Sequence, residues 1–248
     1  MPTAPTTLRV RTADGTARAL LFLGGPGPLP GVVLYGDAFG PRAALQQMAS
    51  RLAGLGYAVL LPELFYREGP VAPFDIATVW SVPAERERLM ALVRSISAAR
   101  VAVDGAAYLE ALAAQAGVHP DRLGVVGYCL GGRMAFLTAA QQPARVRAAA
   151  SFHGSFLVSD AADSPHRLAG RIQAPLYLGV ADGDRACTPE HQGALATALS
   201  AAGVPYCLEL YRGARHGFAV SDNVDAYEPA AAERHWSRLE RFLGESLG

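Results

Sequence analysis

Neither sign of charge prevails in this 248-residue chain, in which 22 basic and 22 acidic residues cancel. That balance excludes the electrostatic footprint of a nucleic-acid binder or of a protein drawn to an anionic membrane surface, and leaves a small molecule as the expected partner. Long apolar runs are missing too. None approaches the roughly 20 residues a helix needs to cross a bilayer, and Met1-Pro2-Thr3-Ala4-Pro5-Thr6-Thr7 has no charged region leading into an apolar one, so no leader is read there. Cysteine is scarce: Cys129, Cys187 and Cys207 are scattered and none has a CxxC neighbour. This excludes a disulfide framework, argues against metal or dithiol chemistry, and fits a reducing, cytoplasmic location. Repeats, low-complexity tracts and linkers are also absent. With 51% hydrophobic residues, residues 1–248 are expected to form one domain around one large core.

What is present is an alternation of strand and helix patterns. Residues 8–11 and 16–23 read as a hairpin turned by Ala13-Asp14-Gly15, and residues 31–35 as a buried strand after a breaker-rich loop. A helical pattern over 42–55 places Leu45, Met48, Ala49 and Leu52 on one face, and a strand follows at 57–61. Residues 62–73 form a proline-bearing loop suited to shaping a pocket. Helical spacing resumes from Pro83 to Gly117 with a break around 95–100, and His119-Pro120-Asp121-Arg122 is a turn. Strands are expected at 148–153, 175–180 and 206–211. Thr188-Pro189-Glu190 starts a helix that runs to about Ala202, and residues 230–243 close the chain with Trp236, Leu239 and Leu243 on one side. The order predicts an α/β fold: a mostly parallel central sheet flanked by helices on both faces, with active groups at the carboxyl ends of the strands.

One stretch carries chemistry. Leu123, Val125 and Val126 read as a buried strand, and Leu130, Met134, Leu137 and Thr138 recur at helical spacing after it. Between them Gly127 and Gly131 flank Cys129 at the spacing of a nucleophile elbow, with cysteine in the place usually held by serine. At a helix N-terminus the dipole and free N–H groups favour thiolate over thiol. Cys187 and Cys207 lack this setting. Among six histidines, His216 lies in a loop after the last clear strand, where a parallel sheet delivers a base to the elbow. His153, at the end of an earlier strand, is the next candidate and suits a pocket wall. The loop Ala181-Asp182-Gly183-Asp184-Arg185 offers two carboxylates to orient the base. Asp184 is favoured, because Asp182 is nearer the strand end and can cap the turn through its own backbone.

Taken together, these segments resemble the dienelactone hydrolase family of the α/β-hydrolase superfamily. The similarity spans nearly the whole chain: Gly-Tyr-Cys-Leu-Gly-Gly at 127–132, Asp-Ala-Phe-Gly at 37–40, Leu-Phe-Tyr-Arg at 64–67, Ala-Asp-Gly-Asp-Arg at 181–185 and His-Gly-Phe-Ala at 216–219. The resemblance implies Cys129 as nucleophile, His216 as base and Asp184 as its orienting acid, with the backbone N–H groups of Ala38 and Leu130 as an oxyanion hole. It puts Asp37 where the family keeps a glutamate near the resting thiol; a turn-forming aspartate is the alternative. It implies Arg67, with Tyr66 beside it, as the contact to a substrate carboxylate. Val220 stands where the family carries a second arginine, so the same carboxylate clamp is not assumed. The expected function is a cysteine-dependent hydrolase of a small ester or lactone, free of metal and cofactor, acting through an acyl-enzyme. A thioesterase or another carboxylesterase, or a non-catalytic thiol sensor, are the other readings.

Overall fold

The structure is a computed structural model that describes residues 4–248. Met1, Pro2 and Thr3, which open the stretch in which no leader is read, lie outside the described residues. The hairpin forms as β1 (Thr6–Thr12) and β2 (Gly15–Leu23). Then come β3 (Leu29–Tyr35), α1 (Ala43–Gly54), β4 (Ala58–Pro62), α2 (Pro83–Ser95) and α3 (Ala98–Ala113). The second half alternates except between β6 and β7, which a 3₁₀ segment (Pro165–Arg171) joins: β5 (Val118–Tyr128), α4 (Leu130–Gln141), β6 (Val146–Phe152), β7 (Leu176–Ala181), α5 (Pro189–Ala201), β8 (Tyr206–Tyr211) and α6 (Pro229–Leu247).

The eight strands form one sheet in the order β1-β2-β4-β3-β5-β6-β7-β8. Only β2 runs against its neighbours; every other adjacent pair is parallel. The sheet is buried on both faces, which is why its central strands are continuous apolar runs rather than alternations. Along β3, Val32 and Leu34 pack with α1 and α6, whereas Val33 and Tyr35 pack with α2, α3 and α4. This period of two, with helices on both faces, is the architecture expected from the sequence. No helix among the described residues is long and apolar enough to cross a membrane.

Local chemistry sets the helix starts. The expected break in the long helical stretch falls at Ile96–Ser97, where the Ser97 hydroxyl caps α3 by accepting from the Arg100 amide at 3.2 Å. Thr188 caps α5 in the same way through the His191 amide at 3.3 Å, with Pro189 in the first turn. One expectation needs correction. Residues 119–122 are not a turn before the elbow strand but lie inside β5, whose pairing to β3 jumps from Pro30↔His119 to Gly31↔Leu123. The surplus residues bulge outward, which lets Pro120, with no N–H to give, sit in a strand.

Arg67 and Tyr66 lie in a short 3₁₀ turn (Tyr66–Glu68) of the long loop. The Arg67 guanidinium grips both oxygens of Asp104 on α3 at 2.7 Å each and also reaches Asp14 at 2.7 Å, while the Tyr66 hydroxyl donates to Asp104 at 2.8 Å. The Asp104 side chain is 1% exposed and that of Arg67 10%, so this ion pair ties loop, hairpin and helix together. Removing one partner of a buried pair leaves the other charge stranded, at a cost of about 3–5 kcal/mol. Asp104→Ala is therefore expected to lower unfolding free energy by that order in urea titrations, and Asp14→Ala, at an exposed position, by less than about 1 kcal/mol. Equal effects of the two would show that the pair does not hold the loop.

Candidate active site

The elbow is enforced by backbone crowding. A Cβ on Gly127 would lie 1.9 Å from the Gly131 carbonyl oxygen, and one on Gly131 would lie 2.2 Å from that of Tyr35. Only glycine permits β5, β3 and α4 to approach so closely. The chain turns between them by forcing Cys129 to φ 56°, ψ −117°, immediately before the first residue of α4. Its amide donates to the Phe152 carbonyl at 3.1 Å, and its carbonyl accepts from Gly132 at 3.0 Å and Ser155 at 3.1 Å. The side chain is left at the N-terminus of α4, where the helix dipole favours a negative sulfur.

His216 arrives on the loop after β8. Its Nδ1 is 2.7 Å from Asp184 Oδ2, and the other Asp184 oxygen accepts from the Ala186 amide at 2.8 Å. Asp184 is buried, whereas Asp182 is exposed and accepts from the Gly213 amide at 3.1 Å. The structure thus separates the two aspartates as the sequence does, one against the histidine and one at a turn. On the other side of the ring, Ser155 Oγ lies 3.5 Å from His216 Nε2 and 3.3 Å from Cys129 Sγ. Burial pushes the Cys129 thiol up, but the His216 ring, by its charge and by hydrogen bonding, and the Ser155 hydroxyl outweigh burial and the opposing charge of Asp37. The net shift is downward from the ordinary thiol value. Burial pulls His216 the other way; the Cys129 thiolate and Asp184 overcome it and raise the ring to about 10. The two shifts are reciprocal, each group favouring the charged form of the other.

Cys129, Leu130, Ala38, Asp37, His153, Asp184 and His216 line a single cavity of about 680 Å³. The Ala38 and Leu130 amides have no hydrogen-bond acceptor among the described residues, and both residues line the cavity with Cys129. Asp37 shares this cavity but its carboxylate is committed elsewhere. It makes a turn with the Phe39 amide at 3.0 Å and a bidentate pair with Arg42 at 2.7 and 2.9 Å. His153 sits past the end of β6 with φ 39°, fully enclosed, its ring 5.2 Å from that of His216 and both nitrogens without a partner among the described residues. Burial, then the charges of His216 and His235, hold its pKa well below the usual histidine value. It is a neutral wall.

Arg67 and Tyr66 are not brought to the sulfur. Neither borders the cavity; Tyr66 faces a separate groove of about 810 Å³ that meets the first only at Ala38 and Phe39. Val220 is buried, with 1% exposure. Sequence reasoning missed Ser155, which lies two residues beyond His153 on the loop beside the elbow strand, a position that could have marked it. It also missed the apolar wall, Phe39, Ile76, Trp80, Leu89, Met90 and Val93. The α2 pattern gave that wall no signal beyond ordinary helix packing.

The chain has relatives. The sequence pattern of the Dienelactone hydrolase family matches residues 18–247. An Escherichia coli K12 protein named "Putative carboxymethylenebutenolidase" is 31% identical over 226 residues, covering 90% of this chain and 79% of its own length. A Bradyrhizobium protein named "Probable 2-oxo-3-(5-oxofuran-2-ylidene)propanoate lactonase" is 28% identical over 93% of this chain and 90% of its own. The crystal structure titled "Putative Dienelactone Hydrolase" from Klebsiella pneumoniae superposes with a TM-score of 0.84 at 24% identity, over 98% of this chain and 99% of that one, a likeness of fold.

A thiolate–imidazolium pairing of Cys129 and His216 would have a spectroscopic consequence. In wild type the His216 ring, assigned by comparison with His216→Gln, is expected to stay protonated until pH approaches about 10. Cys129→Ala removes the strongest upward influence and Asp184→Asn a further one, so both variants should titrate at lower pH in NMR. A wild-type midpoint in the ordinary histidine range near 6.5 would exclude the pair.

Proposed function

Because the chain belongs to the dienelactone hydrolase family, we propose that this hydrolase of lactones or esters works through a Cys129 thiolate and a covalent acyl-enzyme, with residues 1–248 acting as one unit. The observation that carries the reading is the hydrogen-bonded pair Asp184–His216, at 2.7 Å, set beside a thiol that is itself held in a strained elbow. Neither a binding protein nor a thiol sensor requires that pair. Three unpaired cysteines suit a reducing compartment such as the cytoplasm.

The Cys129 sulfur attacks the carbonyl carbon, forming a C–S bond while the π electrons move to oxygen. The Ala38 and Leu130 amides receive that developing charge. Collapse expels the alcohol oxygen, which takes the proton held on His216 Nε2; in a lactone this oxygen stays tethered to the acyl chain. His216, now neutral, takes a proton from water as the water oxygen adds to the thioester carbon, and collapse returns the thiolate and the imidazolium. Asp184 keeps Nδ1 protonated and the ring in register throughout.

The apolar wall from Phe39 to Val93 suits a hydrophobic acyl or leaving group. A substrate carboxylate would find Arg67 already bonded to Asp104 and Asp14, so we assign Arg67 and Tyr66 to support of the loop rather than to the substrate.

The test is an aryl-ester and lactone panel with rapid acid quench and intact-mass analysis. Wild type should show a transient acyl adduct that maps to Cys129; Cys129→Ala should lose both adduct and turnover, by roughly 10³-fold or more, and His216→Ala roughly 10²–10⁴-fold. Undiminished hydrolysis by Cys129→Ala would refute the mechanism.

A further inference from the structure

We propose that Ser155 is a further catalytic residue, its hydroxyl bridging the Cys129 sulfur and the His216 ring so that the nucleophile rests as a thiolate. The proposal deepens the reading of Cys129 as nucleophile and rests on it.

The hydroxyl has no other hydrogen-bond partner among the described residues: its contacts are Cys129 Sγ at 3.3 Å and His216 Nε2 at 3.5 Å. The second is long, as such bonds often are before substrate tightens a site. In the resting pair the polarity of each contact is fixed by charge. Thiolate has no proton, so Ser155 donates O–H to sulfur; imidazolium carries a proton on Nε2, so Ser155 Oγ accepts it. No bond is made or broken in this state. A hydroxyl is one of the few side chains that can do both at once.

Its seat is built rather than incidental. Ser155 is buried, with 5% exposure, and its own amide is tied to the Cys129 carbonyl at 3.1 Å, so hydroxyl and thiol move as one body. Among the described residues three non-glycine positions have positive φ: Cys129 at 56°, His153 at 39° and Phe156 at 55°. Two of these flank Ser155 on its own loop. Gly154 between them has no room for a side chain, since a Cβ there would lie 2.3 Å from Ser151 Oγ. Strain of this kind persists where the surroundings over-determine a geometry, and it gathers at functional sites. Here it turns the chain leaving β6 so that the serine faces the sulfur. Asp37, the carboxylate facing the same thiol, is engaged by Arg42, and Asp184 acts through His216, so besides the His216 ring Ser155 is the polar side chain that bears on the sulfur directly.

Carbamidomethylation of Cys129 by iodoacetamide, in which the sulfur displaces iodide, followed across pH by peptide mass mapping, reads the thiolate without requiring turnover. A Cys207→Ser background removes the exposed thiol; Cys187 is buried, and burial with the charge of Asp184 raises it to about 11. Losing a hydrogen bond to a charged group corresponds to about one unit, or tenfold. Ser155→Ala should move the alkylation profile up by about one pH unit. Its kcat/KM on an aryl ester should fall roughly tenfold below the midpoint and approach wild type above it, while Ser155→Thr, which keeps the hydroxyl, returns the profile toward wild type. Should Ser155→Ala fail to fold, Ser155→Gly removes the hydroxyl and takes its place. An alkylation profile unmoved by loss of the hydroxyl overturns the proposal whatever happens to thermal stability, and so does a threonine variant indistinguishable from alanine, which would trace the effect to packing. Retained turnover in Cys129→Ala would instead overturn the parent mechanism, so the two failures are distinct.

Discussion

The contact between backbone and backbone where β5 passes under α4 is the constraint on which the site depends. With a prospective Gly127 Cβ only 1.9 Å from the Gly131 carbonyl and a Gly131 Cβ 2.2 Å from that of Tyr35, strand and helix are nearer than any side chain allows. Cys129 must then reverse the chain in a single residue, at a positive φ that costs of order 1–3 kcal/mol. The cost is offset by its surroundings. Val125, Val126 and Tyr128 on one side, and Leu130, Met134 and Leu137 on the other, are all fully or nearly fully buried, and burying such side chains contributes about 1.5–3 kcal/mol each. A strained thiol at a helix N-terminus is therefore a consequence of sheet packing, fixed before any charged partner is considered.

Charge then acts on a sulfur whose position is already set. Burial opposes the charged form of both Cys129 and His216, and in each the specific partner outweighs it: the ring for the thiol, the thiol and Asp184 for the ring. Nearby His153 shows what the same enclosure does without a partner. Its nitrogens bond to nothing among the described residues and its pKa falls well below the usual value. Two histidines with ring centroids 5.2 Å apart are thus shifted in opposite directions, and the difference lies in whether a carboxylate and a thiol face the ring. A neutral His153 is also compatible with a charged neighbour, where a second imidazolium would repel it.

Much of this was legible in the amino-acid sequence, and the reason is that strong local rules coincide there. Apolar runs gave the strands, glycine spacing gave the elbow, and chain order placed Asp184 and His216 on loops at the carboxyl ends of β7 and β8. The misses have physical causes. Residues 119–122 have turn chemistry, but pairing with β3 before and after them absorbs them as a bulge. Ser155 carries no pattern of its own; only the strained loop after β6 brings its hydroxyl to the sulfur. Arg67 was expected to meet a substrate carboxylate, but a carboxylate of the chain itself, Asp104, 37 residues away on α3, holds it. Long-range pairing of charges is what sequence spacing does not reveal.

Asp37 and Arg42 illustrate the same point with a consequence for geometry. The aspartate's two oxygens are held by Arg42, whose remaining donors reach Asp222 at 2.6 and 2.8 Å. Arg42 precedes α1, Asp37 leaves β3 next to the Ala38 amide, and Asp222 lies on the loop that carries His216. One planar cation with a rigid fork of donors therefore joins the loop of the prospective oxyanion donor to the loop of the base. Its side chain is only 20% exposed and that of Asp37 7%, so the link is better shielded than an ordinary surface pair. It also balances the charge that Asp37 would otherwise direct at the sulfur, the one nearby influence that disfavours thiolate apart from burial. A carboxylate bound in this way joins two loops that border the cavity, and its charge is met by Arg42 rather than by the thiol.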